Sequence, residues 1–190
     1  MIRRAFLGLS IAAGLGLGTA ALAADPGNTL VIQVEGQANG TIEIALRPDL
    51  APKHVAQIKA LAEQGAYDGV AFHRVIEGFM AQTGDVEFGT KAAFAQGNAG
   101  MGGSKLPNLP AEFSDVKFER GTVGMARSQS PDSANSQFFI MFAPAPFLDG
   151  QYTVVGEVTS GMEVVDAIRR GEGQNGMVDA PDFMTKVTVK

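Results

Sequence analysis

Phe72-His73-Arg74-Val75-Ile76-Glu77-Gly78-Phe79-Met80-Ala81-Gln82 lies within Val70 to Gly84, where the pattern reads as short strands spaced too closely for a crossover helix. That spacing decides for an antiparallel sheet. More than fifty residues downstream, Ser136-Gln137-Phe138-Phe139-Ile140 and then Phe147-Leu148-Asp149-Gly150 carry the same chemistry as the first stretch. Both segments set Phe, Met or Leu beside a few amide or guanidinium donors, with no evident nucleophile. Together they describe an apolar pocket holding a fixed cation.

Upstream, Thr29 to Val34 and Thr41 to Leu46 are β-branched, alternating runs joined by Gly36, Asn39 and Gly40, which is a hairpin signal. Pro52 then fits a first helical turn, and Val55, Ile58, Leu61 and Ala62 recur at helical spacing until Gly65. Downstream, Gly89 to Pro110 is rich in glycine, lacks periodicity and reads as a long surface loop. Strand-like segments return at Gly121 to Ala126, Ser136 to Phe142 and Tyr152 to Val158. Val164, Val165 and Ile168 mark a second short helix, and Lys186 to Val189 a last strand. The reading is mainly β, about eight strands with a helix near each end, as an antiparallel barrel or sandwich.

The chain has 190 residues, of which 45% are hydrophobic, enough for one domain with a core. Residues 1–23 differ from the rest. Arg3 and Arg4 precede an apolar run from Ala5 to about Leu17, and Ala21-Leu22-Ala23 fits the small-x-small cleavage pattern of a signal peptide. The run is shorter than the roughly 20 apolar residues that span a bilayer and is diluted by Gly8, Gly14, Gly16 and Gly18. We therefore expect cleavage after Ala23, export to the periplasm, a mature domain over residues 24–190, and no stable membrane insertion. Arg3-Arg4-Ala5-Phe6-Leu7 also looks like a twin-arginine motif, although Ile2 stands where Ser or Thr is usual, so the export route stays open. Cleavage removes two Arg and no acid, taking the net charge from −5 to about −7. An acidic surface without a basic cluster argues against nucleic acid or anionic lipid as partner. With no Cys, the fold gains no disulfide.

The inventory of reactive groups is short. No Cys-His pair exists, and a serine triad would have to draw its base from His54 or His73, neither of which has a nucleophile motif nearby. Two lone His without clustered carboxylates make a poor zinc site, so no metal is expected. Gly97-Asn98-Ala99-Gly100-Met101-Gly102-Gly103-Ser104-Lys105 matches neither phosphate-binding glycine pattern and joins no strand to a helix. It reads as a flexible loop.

From about Thr29 to the C-terminus, the two quoted segments resemble the cyclophilin family of peptidyl-prolyl cis/trans isomerases, in an exported bacterial form. The resemblance implies a closed eight-stranded antiparallel β-barrel capped by two α-helices. It implies no cofactor, proline-containing unfolded or partly folded polypeptides as partners, and a monomer. Arg74 would be the catalytic guanidinium, and Gln82 would hold it and the substrate backbone. Phe79, Met80, Phe139 and Leu148 would line the proline pocket, Gln137 would offer an amide, and the backbone at Ala126 and Arg127 would pair with the peptide. Phe147 and Tyr152 would rim the pocket where many eukaryotic members carry Trp and His, so only weak cyclosporin binding is expected. Adjacent strand residues face opposite ways, so Phe138 and His73 should be structural. Arg127 either favours acidic residues near the proline or is simply solvated.

Such an inventory suits prolyl isomerisation, which needs no nucleophile. The barrier of about 18–20 kcal/mol arises from delocalisation of the amide nitrogen lone pair, and a guanidinium donating toward that nitrogen lowers it. Two rivals remain: a holding chaperone that uses the same groove without essential catalysis, and a small-ligand carrier with its ligand inside the barrel.

Overall fold

The computed structural model describes residues 27–190. The expected signal peptide and its cleavage point after Ala23 lie outside the described residues. β1 (Thr29–Glu35) and β2 (Gly40–Leu46) form the expected hairpin, with Thr29 opposite Ala45 and Val34 opposite Gly40. α1 (Pro52–Glu63) follows and buries Val55, Ile58, Leu61 and Ala62, the positions at helical spacing. Three short strands come next: β3 (Val70–Ala71), β4 (Arg74–Ile76) and β5 (Met80–Thr83). After the loop come β6 (Thr122–Met125), β7 (Phe138–Met141), β8 (Val154–Ser160), α2 (Met162–Ala167) and β9 (Phe183–Val189).

Among the described residues the strands make one antiparallel sheet of nine, in the order β3-β9-β1-β2-β8-β6-β7-β5-β4. This corrects the expected closed eight-stranded barrel: the sheet curls, but its hydrogen-bonded ladder has two ends, β3 and β4. Only Phe72 and His73 separate those ends in the chain, so the backbone crosses the seam where a ladder would have to form. Single bonds from the segment before β9 fill the gap, with Phe72 N–H donating to the Asp182 carbonyl (2.9 Å), Val75 N–H to Gly176 (2.7 Å) and Val178 N–H to His73 (3.1 Å).

Register assigns the two faces of the sheet. Val75, Ala81, Ile140 and Val123 stand opposite one another across β4, β5, β7 and β6, and all are buried in the main core. The neighbouring row, Arg74, Gln82, Phe139 and Gly124, therefore points to the outer face. A one-residue slip of β7 would exchange Ile140 for Phe139 and expel a side chain whose burial is worth about 1.5–3 kcal/mol. A second, smaller apolar cluster on the outer face contains Met80, Phe118, Phe139, Met141, Ala145, Leu148 and Val154.

Candidate functional site

The outer row begins with Arg74, half-buried at the start of β4. Its Nε donates to the Asn175 carbonyl (3.0 Å) and its Nη1 to Gln82 Oε1 (3.2 Å). Gln82 Nε2 donates to Gln137 Oε1 (2.9 Å), and Gln137 Nε2 donates to the carbonyls of Gly100 (3.0 Å) and Gly102 (2.8 Å). The relay has a fixed direction. Backbone carbonyls can only accept, so the Gln137 amide must turn its nitrogen to them and its oxygen to Gln82, which leaves Gln82 Oε1 for the guanidinium. Nη2 of Arg74 has no protein partner among the described residues, so it remains free on the side chain that lines the cavity. Burial draws the Arg74 pKa down from its ordinary value, partly opposed by Tyr152. Arginine stays charged through such a shift.

Beside Arg74 lies a cavity of about 400 Å³ lined by Phe79, Met80, Gln82, Ala126, Arg127, Phe139, Phe147, Leu148, Gln151 and Tyr152 as well. Phe139 forms its floor. Its ring stacks on Phe118 (5.8 Å between centroids) and meets Tyr152 edge to face (5.8 Å). Gly124 makes this possible, since a Cβ there would lie 2.6 Å from Phe139 Cζ and 2.7 Å from Phe118 Cε1. A turn of 3₁₀ helix, Pro146–Leu148, brings buried Leu148 and exposed Phe147 to the opposite wall, where Phe147 meets Phe79 at 5.6 Å. The two sequence segments thus converge on one pocket.

At the end of β6 the Ala126 N–H still bonds to the Gln137 carbonyl (2.9 Å). Among the described residues neither the N–H nor the C=O of Arg127, which face the same side of an extended chain, has a protein partner, which leaves a short strand edge open above the pocket. Gln137 sits behind Gln82 and lines an adjoining cavity of about 560 Å³. Arg127 is not simply solvated: its guanidinium lies 4.3 Å over the Tyr152 ring and donates to the Gln151 carbonyl (3.0 Å).

Phe138 is buried in the main core, as alternation requires, whereas His73, between β3 and β4, is buried beside Gly100, where a Cβ would lie 3.1 Å from its ring. His54 bonds through Nδ1 to Glu112 (2.7 Å), which also accepts the N–H groups of Lys53 and His54 at the start of α1. Among the described residues no three His, Cys, Asp or Glu side chains are grouped so as to hold a metal ion. Several supporting residues had no sequence signal. Gln151 and Asn175 act through backbone carbonyls, which any residue supplies. The glycine loop is pinned rather than loose, because buried Asp85 accepts from the N–H groups of Gly100 (2.7 Å), Gly102 (3.0 Å), Glu87 (3.1 Å) and Phe88 (2.9 Å). The bare glycine density hid that anchor.

Comparison with known proteins points to one family and one fold. The family model for cyclophilin type peptidyl-prolyl cis-trans isomerase/CLD matches residues 29–189. A protein of Brucella suis named a probable peptidyl-prolyl cis-trans isomerase is 59% identical over 188 residues, 98% of this chain and 92% of that protein. A peptidyl-prolyl cis-trans isomerase of Arabidopsis thaliana is 40% identical over 129 residues, 68% of this chain and 56% of that protein. Among solved structures, a cyclophilin from Hirschia baltica superposes with a TM-score of 0.72 at 26% identity, covering 87% of this chain and 74% of that one. A cyclophilin type isomerase from Cryptosporidium parvum shares the fold at a TM-score of 0.72 and 24% identity, covering 85% of this chain and 98% of that one.

Proposed function

The chain belongs to the cyclophilin-type peptidyl-prolyl cis-trans isomerases, and from that premise we propose that it exchanges X-Pro isomers by aiming the Arg74 guanidinium at the imide nitrogen of a proline seated on Phe139. The observation that carries this reading is the directed relay from the Gly100 and Gly102 carbonyls through Gln137 and Gln82 to Arg74. It holds a cation over an apolar floor, a geometry that pure binding does not need. As the C–N bond twists, the lone pair localises and becomes an acceptor, and the free N–H groups of Arg74 donate to it where the pocket excludes water. No proton or covalent bond changes hands. Raising exchange from once in tens to hundreds of seconds to about 10 s⁻¹ requires roughly 3–4 kcal/mol, within reach of one well-aimed charged donor.

The substrate backbone would pair with the edge at Ala126 and Arg127, through the N–H and C=O of Arg127, as a short added strand, with Phe79, Met80, Leu148 and Phe147 around the ring. One structural relative is described in the presence of the dipeptide Ala-Pro, which suits a pocket of this size. NMR titration with an Ala-Pro peptide tests the reading: shifts at Phe139, Leu148 and Ala126 should accompany accelerated exchange. Shifts without acceleration would make the groove a holding surface and move the chaperone reading to first place. The same proposal includes a monomer exported to the periplasm with cleavage after Ala23, acting on folding envelope proteins. N-terminal sequencing of the envelope form checks the cleavage. With Phe147 rather than Trp at the rim, cyclosporin should bind weakly, and nanomolar inhibition would contradict that.

A further inference from the structure

We infer that Arg127 selects substrates carrying a carboxylate within two residues of the proline, so that acidic X-Pro segments are this enzyme's preferred class. The inference rests on the isomerase reading and sharpens it. Arg127 borders both the proline cavity and the adjoining one, together with Gln82 and Ala126. An extended peptide passing between the two cavities must cross it.

The guanidinium is held but not neutralised. It stacks 4.3 Å over Tyr152; Nη1 donates to the carbonyls of Ser128 (2.9 Å) and Gln129 (3.3 Å) and Nη2 to that of Gln151 (3.0 Å), while buried Nε has no partner among the described residues. Elsewhere Arg47, Arg120 and Arg170 each hold a carboxylate, on Asp49, Asp166 and Glu77. Arg127 and Arg74 have neutral acceptors only, and among the described residues no Asp or Glu lines either cavity. A chain of net charge −5 thus presents an uncompensated positive groove. Because Arg127 is already fixed, an arriving carboxylate gains its attraction without the cost of ordering a flexible side chain. One hydrogen of Nη2 is left over for direct contact. At a partly exposed site the preference should be about three- to fivefold, and salt should weaken it.

The test compares exchange rates by NMR for proline peptides with Asp or the isosteric Asn placed one or two residues to either side, using wild type, Arg127→Met and Arg127→Lys. Wild type should favour Asp at one or more positions by about three- to fivefold, the preference should fall toward unity at about 0.5 M salt, Arg127→Met should abolish it, and Arg127→Lys should retain most of it. Equal Asp and Asn rates at every position, or a preference that survives Arg127→Met, would overturn the inference. If Arg127 is only a strut for the Ser128–Gln129 turn, both variants slow all peptides alike and the ratio does not move. Acceleration of every peptide without preference sinks only the selector. If no peptide is accelerated, the isomerase reading fails instead, and the same Asp-to-Asn ratio read from Kd by titration still decides the selector.

Discussion

Gln137 never touches the pocket that Arg74 lines, yet its amide fixes which way Gln82 faces. Gln137→Leu would leave the Gly100 and Gly102 carbonyls and the Gln82 nitrogen without partners and let the Gln82 amide turn over. We expect a fall of about tenfold in kcat with a smaller change in KM, because an unaimed donor loses transition-state contact first. A purely structural role would instead lower Tm and leave kcat of the folded fraction intact. Arg74 and Gln82 were legible through the family resemblance of the segments that carry them, since an Arg among Phe residues taken alone also reads as a surface side chain laid on the sheet. The relay and its supports could not, because Gly100, Gly102 and Asn175 contribute backbone carbonyls and Asp85 acts through loop N–H groups.

Strand register writes the site at the scale of elements. Arg74, Gln82, Phe139 and Gly124 form one row across four strands, and the floor of the pocket depends on the smallest of them. Gly124→Ala should destabilise the fold by about 1–3 kcal/mol through its collision with Phe118 and Phe139 and tilt the Phe139 ring into the pocket. Thermal unfolding together with KM for a proline peptide checks both effects. The start of α1 offers a second case. Ala51 supplies no side-chain cap, and Glu112, far along the chain, accepts the first N–H groups instead. Burial works to raise the Glu112 pKa, yet the bonds from His54 and Lys53 win and hold it below the usual carboxylate value. Glu112→Ala should cost about 1–2 kcal/mol in denaturant unfolding. The hairpin and α1 were legible because periodicity and turn residues are local. The ninth strand was not, since β3 has two residues and is defined by its pairing with distant β9.

Without a disulfide, the whole molecule depends on its core, and one buried group ties that core to pH. His73 is 1% exposed, neither ring nitrogen has a hydrogen-bond partner among the described residues, and burial lowers its pKa to about 4. The unfolded chain takes up this proton below about pH 6.5 and the folded one only near pH 4, so stability should fall by about 3 kcal/mol as pH drops through that window. His73→Phe should flatten the window in denaturant unfolding at several pH values, and an unchanged slope would mean the histidine is not its source. The decisive measurement is the cis/trans exchange rate of a short Ala-Pro peptide by NMR with wild type and Arg74→Ala, both shown to be folded. The wild type should accelerate exchange, and the acceleration should drop at least about tenfold in the variant, the loss of one charged donor. A folded Arg74→Ala variant that accelerates exchange as fast as the wild type would contradict it.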